Sequence, residues 1–233
     1  MESSITTRKG AGCFIVLEGI DGVGKSTQVA LLAAWLDAAE VPHVVVREPG
    51  GTPLGEVIRD LVLKRTDLDV GPASELLMML AARAALVRDV VGPGLEAGKL
   101  VLADRFALST LAYQAYGRGL DPARVRPALD IATGGLRPDL YVVLDLPLRE
   151  AAERRHRGRG RPDRFESEGE AFRHKVRDAY LALAEDEPGV ELLDAQGTPE
   201  EVHARICGLL AARLPAFVPA ASGGPGRRER EDG

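Results

Sequence analysis

Apolar residues along the chain fall into two alternating kinds of run. Short ones, Phe14-Ile15-Val16-Leu17, His43-Val44-Val45-Val46, Leu100-Val101-Leu102-Ala103, Leu140-Tyr141-Val142-Val143-Leu144 and Val190-Glu191-Leu192-Leu193, have the length and make-up of strands. Between them, apolar positions recur at helical spacing. The first such stretch carries Val29, Leu31, Leu32, Trp35 and Leu36. Helical periods then cover residues 54–63, 73–95, 107–116, 122–132, a stretch from Leu148, 167–185 and 200–214. Pro122 and the Thr198-Pro199-Glu200-Glu201 cluster suit first turns. Five short strands alternating with helices predict an α/β fold, a doubly wound parallel sheet with helices on both faces. Ligands gather at the carboxyl ends of such strands, where Gly19, Glu48, Asp104, Asp145 and Asp194 are expected.

The first strand runs into the most informative segment, FIVLEGIDGVGKSTQ. Gly19-Ile20-Asp21-Gly22-Val23-Gly24-Lys25-Ser26 matches G-x-x-x-x-G-K-[ST] in full. The strand before it and the helix after it supply the context that this phosphate loop needs. Glycines let the backbone N–H groups turn inward, and the helix start adds partial positive charge. Lys25 can reach β- and γ-phosphates, and Ser26 can ligate Mg²⁺.

Composition narrows the class. The chain has 233 residues, 45 % of them apolar, enough for one α/β domain with a substantial core. The net charge of −5 gives no global basic field for nucleic acid. Cys13 and Cys207 make neither a disulfide framework nor a zinc site. Residues 1–12 read as a loose arm without a signal peptide's apolar segment, and no run is long enough to span a membrane. Residues 216–233 read as a disordered Pro/Gly/Ser-rich and charged tail, leaving residues 13–215 as the folded domain.

Two further features carry charge to strand ends. Asp104-Arg105 pairs a carboxylate that can hold Mg²⁺ with an arginine that can clamp phosphate; a plain surface ion pair is the alternative. Residues 154–164 contain six arginines in eleven positions. A solvated charge run, a nucleic-acid patch and a lid over polyphosphate all compete for this tract. The acidic flanks and the presence of a phosphate loop favour the lid. A lysine, a magnesium site and many arginines fit phosphoryl transfer to an acceptor that is itself a phosphate, because such an acceptor needs no catalytic base.

The stretches FIVLEGIDGVGKSTQ, REPGGTPLGEVIR, LLMMLAARAALV, DRFALSTLAYQAYGRGLD, RPDLYVVLDLPLREAAERR and RGRPDRFE together resemble thymidylate kinase of the bacterial type, in order and spacing, over residues 13–210. The resemblance implies the P-loop kinase strand order 2-3-1-4-5 and transfer from ATP-Mg to thymidine monophosphate. It also implies small nucleotide partners with no nucleic acid or membrane, a cytoplasmic homodimer, and a place in DNA precursor supply. By matching position, Gly19 to Thr27 resemble the ATP phosphate cradle, with Arg154 against adenine. Asp21 resembles the residue facing the acceptor's 3′-hydroxyl, Arg105 the acceptor-phosphate clamp, and Ser26 and Asp104 the magnesium side. Glu48 and Pro49 resemble the acceptor-framing loop. Arg83 resembles the base-reading arginine, with Thr110 near thymine N3. Tyr113 resembles the aromatic beside C2′, and Ser109 and Gln114 accompany it in the same motif. Arg159 and Arg164 are the lid arginines taken for the transition state, because Gly22 stands where some members carry a P-loop arginine.

Two positions depart from the pattern. Met79 stands where Phe often stacks on thymine, and Ala85 where Gln is common. Core filling is an alternative role for Met79, and core packing for Tyr113. Three other functions stay open on the sequence. The first is a kinase for another nucleotide, or for a nucleoside, whose hydroxyl would need a base that only Glu48 could supply. An ATP-driven switch is the second; the GTPase version lacks its asparagine-containing motif, since the chain has no asparagine. A nucleic-acid module on the arginine tract is the third.

Overall fold

The structure is a computed structural model that describes residues 12–157, 164–165 and 168–219. The five expected strands form as β1 (Cys13–Glu18), β2 (His43–Arg47), β3 (Leu100–Asp104), β4 (Leu140–Asp145) and β5 (Val190–Asp194). All pairings are parallel, and the order across the sheet is β2-β3-β1-β4-β5. The three inner strands are buried along almost their whole length, which explains their unbroken apolar runs. The outer strands β2 and β5 tolerate Arg47 and Glu191 because one edge of each meets solvent.

The described helices are α1 (Lys25–Ala38), α2 (Pro53–Leu63), α3 (Pro72–Leu86), α4 (Gly92–Glu96), α5 (Ala107–Thr110), α6 (Pro122–Thr133), α7 (Leu148–Arg157), α8 (Glu170–Asp186) and α9 (Pro199–Arg213). Helices α1 and α9 pack together, while α3, α6 and α8 gather around the Leu111–Gly117 segment. The register then fixes what matters for a site. Leu17 and Arg47 both lie beside Asp104, and Asp145 lies beside Asp194, so all five strand ends share one edge.

Two expected helices are not continuous. The stretch 73–95 breaks into α3, a π-helical turn at Val87–Val91, and α4. Pro93, in the first turn of α4, lacks the N–H needed to carry a regular ladder through. The stretch 107–116 is α-helical only over α5; Leu111–Gly117 is π-helical. There the Arg118 N–H reaches the Tyr113 carbonyl, five residues back, at 2.8 Å. The wider turn buries Leu111, Ala112 and Ala115 while Tyr113 and Gln114 face the cleft described below.

At the C-terminal side, Phe217 packs on the core and Val218 is buried. Packing therefore extends past residue 215, where the pattern of Pro, Gly and Ser suggested an end. Residues 1–11 of the expected arm and 220–233 of the expected tail lie outside the described residues.

Candidate active site

A cleft of about 800 Å³ opens along the carboxyl edge of the sheet. Its floor is the loop between β1 and α1. Gly19, Gly22 and Gly24 there all have positive φ. Gly22 is the most constrained: a Cβ would come 2.2 Å from the Ala151 carbonyl oxygen of α7, at φ 91°. No side chain fits that position, so an arginine in the loop is excluded by the approach of α7 itself. Ile20 and Val23 anchor the loop in the core, while Asp21, Gly22, Gly24, Ser26 and Thr27 line the cleft.

Lys25 is 6 % exposed, and its Nζ donates to the carbonyls of Gly19 (3.0 Å) and Ile20 (2.8 Å). Burial, reinforced by the nearby Arg105 charge, pulls its pKa down to about 8. Ser26 Oγ donates to Asp104 Oδ2 at 2.6 Å. These two hard oxygen donors stand side by side at the cleft edge. Among the described residues there is no group of three His, Cys, Asp or Glu that could hold a metal ion by itself. A pair of donors that leaves most positions to phosphates and water is the arrangement Mg²⁺ takes in phosphoryl-transfer sites.

Arg105 follows β3 in a left-handed conformation, φ 76°, which is strained for a residue with a side chain. One Nη2 pairs with Asp21 and donates to the Tyr113 hydroxyl at 3.1 Å. Nη1 donates to Gly19 O (3.0 Å), Ser109 Oγ (3.1 Å) and the Tyr180 hydroxyl (3.2 Å). The Tyr113 hydroxyl in turn donates to Asp21 Oδ2 at 3.0 Å. Burial would raise the Asp21 carboxyl, but the charges of Arg105 and Lys25 outweigh it and hold its pKa below the ordinary value.

The other end of the cleft is built by the turn after β2 and by α3. Arg83, 3 % exposed, lays its Nε on both oxygens of Glu48 at 3.0 and 2.8 Å. Its Nη2 serves Glu48 and the Phe106 carbonyl, and its Nη1 donates to Thr110 Oγ1 at 2.8 Å. Glu48 is thus held in a buried ion pair with Arg83, while burial pushes its carboxyl above the ordinary range. Pro49, joined to Glu48 by a cis peptide, lines the cleft, as do Met79 and Leu63. Met79 is only partly buried, so it both packs on the core and presents a surface to the cleft.

Ser109 and Gln114 are held by carboxylates. Ser109 Oγ donates to Glu18 Oε2 at 2.6 Å, and Gln114 Nε2 to Glu75 Oε1 at 2.9 Å. Gln114 also lines the cleft. At the far side, Arg154 of α7 donates to the carbonyls of Val23 (3.4 Å) and Gly197 (3.1 Å), bridging the glycine loop to the turn before α9.

Not every expected residue converges here. Arg159 lies outside the described residues. Arg164 directs its guanidinium to the carbonyls of Val62 (3.1 Å), Arg65 (2.7 Å) and Leu68 (3.0 Å), and it does not line the cleft. Those acceptors, left over at the end of α2, compete for it. Asp145 at its strand end is neutralised by a two-point pair with Arg177, 2.8 Å each.

Other contributors were missed. Arg47, Arg59, Phe165 and Gln28 line the cleft. Glu18, fully buried at the end of β1, accepts from Phe106 N (2.8 Å), Ser109 N (3.1 Å) and the Tyr180 hydroxyl (2.9 Å). Its signal was present: a single carboxylate closing an apolar strand. For Phe165, beside an arginine tract, nothing local marked a cleft residue.

Comparison with known proteins agrees with this geometry. The profile of the family described as Thymidylate kinase matches residues 17–206. The thymidylate kinase of Geotalea uraniireducens is 46 % identical over 209 residues, covering 87 % of this chain and 98 % of that one. The thymidylate kinase of Cereibacter sphaeroides is 50 % identical over 211 residues, covering 87 % and 96 %. Among solved structures, the thymidylate kinase of Ehrlichia chaffeensis superposes with a TM-score of 0.69 at 31 % identity, covering 86 % of this chain and 99 % of that one.

Proposed function

The chain belongs to the thymidylate kinase family and phosphorylates thymidine monophosphate with ATP, and we propose that it does so with both nucleotides in the one cleft. The observation that carries this reading is that Lys25 and Arg105, the two cations suited to a donor and an acceptor phosphate, meet on the Gly19 carbonyl in that cleft. The donor polyphosphate lies along the glycine loop with its adenine toward Arg154. The acceptor base and sugar lie between Met79, Pro49, Arg83 and Tyr113.

Phosphoryl transfer asks for alignment and charge neutralisation. Lys25 leaves its two carbonyls for the donor phosphates, and Arg105 turns from Asp21 toward the acceptor phosphate. That oxygen is already anionic, so no side chain has to remove a proton. Four of the five N–H groups of Arg83 are spent among the described residues: Nε on Glu48, two on Nη2 for Glu48 and Phe106 O, and one on Nη1 for Thr110. The fifth is left for a thymine carbonyl. Thr110 Oγ1, which already accepts from Arg83, has a second lone pair for thymine N3–H. Tyr113, fixed by Asp21 and Arg105, fills the space a ribose 2′-hydroxyl would need.

Ser26 and Asp104 would hold Mg²⁺, whose part is to neutralise charge on the donor phosphates. We also assign a homodimer, for which the exposed Leu54 and Val57 of α2 and Leu77 of α3 offer apolar contact surface. No helix among the described residues is long and apolar enough to cross a membrane, and the cytoplasm is the proposed compartment.

The test is a coupled ADP-release assay with ATP, Mg²⁺ and a panel of nucleoside monophosphates, plus thymidine and a no-acceptor control. Thymidine monophosphate is expected to stand out. Equal rates with several monophosphates would remove the base selectivity assigned to Arg83 and Thr110. A rate no higher than the no-acceptor control would remove the kinase assignment.

A further inference from the structure

Arg118 does not line the cleft, yet it joins α3 and Phe165, both of which do. Its Nε lies 3.2 Å from both oxygens of Glu75 on α3, and its Nη2 lies 3.0 Å from one of them. Its Nη1 pairs with Glu168, just ahead of α8. The guanidinium carbon sits 4.8 Å from the ring centroid of Phe172 and 5.5 Å from that of Phe165. Gly117 makes the room: a Cβ there would come 2.7 Å from Phe172 Cε2.

Two of the groups gathered around Arg118 are walls of the cleft. Phe165 meets the Tyr113 ring edge-on at 5.6 Å, and Gln114 donates to the same Glu75 that Arg118 holds. The geometry points to Arg118 as a positioning residue for the acceptor nucleotide: by binding Glu75 and Glu168 at once, it fixes Phe165 and Gln114 in the wall of the acceptor end. This rests on the assignment of that end of the cleft to thymidine monophosphate. A fork on Glu75 alone would satisfy the buried carboxylate. The additional pair with Glu168 and the stacking on two rings are what tie the segment carrying Phe165 to α3. A lysine reproduces neither the fork nor the flat stacking face.

The two halves of the arrangement can be separated. The Glu75 side chain is 1 % exposed and that of Glu168 is 28 % exposed. Removing Glu168 therefore spares the buried pair. The experiment measures steady-state kinetics and calorimetric binding of thymidine monophosphate for the wild type, Glu168→Ala, Phe165→Ala, their double variant and Arg118→Lys. Glu168→Ala is expected to raise KM for thymidine monophosphate about 10-fold, the loss of one charge-assisted contact. KM for ATP should stay within about 2-fold, since the donor end is untouched. Phe165→Ala should do the same, the double variant should be no worse than either single one, and Arg118→Lys should follow Glu168→Ala. An unchanged acceptor KM in Glu168→Ala would overturn the inference. So would effects of Glu168→Ala and Phe165→Ala that add in full, or equal rises in both KM values. The wild-type rate tests the reaction itself. The variant-to-wild-type ratio tests the positioning, and calorimetry reads that ratio without turnover.

Discussion

Lys25 and Arg105 donate to the same main-chain oxygen, the Gly19 carbonyl, each at 3.0 Å. Lys25 opens α1 after the glycine loop and Arg105 follows β3, and the parallel pairing of β1 with β3 is what brings them together. Two cations this close repel, and Asp21 beside them supplies the compensating negative charge. The Gly19 carbonyl and the Asp21 carboxylate thus hold the two cations together in the cleft.

Nucleotide binding should take up a proton near pH 8. The Lys25 pKa of about 8 lies below its ordinary 10.5. Between those values the unfolded chain holds more protons at this group than the folded one. Lys25 therefore favours folding of the ligand-free protein more as pH rises through that window. Polyphosphate favours the charged form, so ATP affinity should fall as pH rises above about 8. Calorimetry in two buffers of different ionisation enthalpy at pH 8 should show the uptake. Lys25→Met should abolish both the uptake and most turnover.

Arg105→Ala should lower kcat/KM for thymidine monophosphate by about 10²- to 10³-fold, the scale for losing a charged group that acts on the reacting phosphate. KM for ATP should move far less. Kinetics with each nucleotide varied in turn would show this split, and an unchanged acceptor KM and kcat would remove Arg105 from the clamp.

Tyr113→Ala should open space beside C2′ and narrow the preference for deoxyribose over ribose monophosphates by about 10-fold, while Tyr113→Phe should keep the preference. The hydroxyl contacts Asp21 and Arg105, whereas the ring does the excluding. Paired assays with the two sugars decide it. A preference unchanged in Tyr113→Ala would return the residue to a packing role.

Gly22→Ala should destabilise the protein by about 2 to 3 kcal/mol, from a side chain at positive φ and a clash with α7. The Cβ would lie 2.2 Å from the Ala151 carbonyl. Urea denaturation measures the loss. Wild-type stability would mean that α7 yields readily at that contact.

The glycine loop and the five strands were legible because their signals are local. A glycine loop requires φ values that few other residues adopt, and a buried strand requires an unbroken apolar run. Lys25, Ser26, Asp104 and Arg105 follow from position relative to those elements. The two π-helical segments were not legible, since π and α turns share the same apolar spacing at this length.

Period, glycine placement and strand length act within a few residues, so a parallel α/β domain with a phosphate loop and cationic residues at its strand ends could be read from the order of residues. The tertiary structure alone decided which of those charges meet. Asp21 with Arg105 and Tyr113, Glu48 with Arg83, and Glu18 with Ser109 and Tyr180 are pairs of distant positions. It also turned Arg164 to the end of α2 and put Phe165 into the cleft. A side chain takes the partner that satisfies its charge at least desolvation cost, and which partners are within reach is fixed only when the sheet closes its order and register.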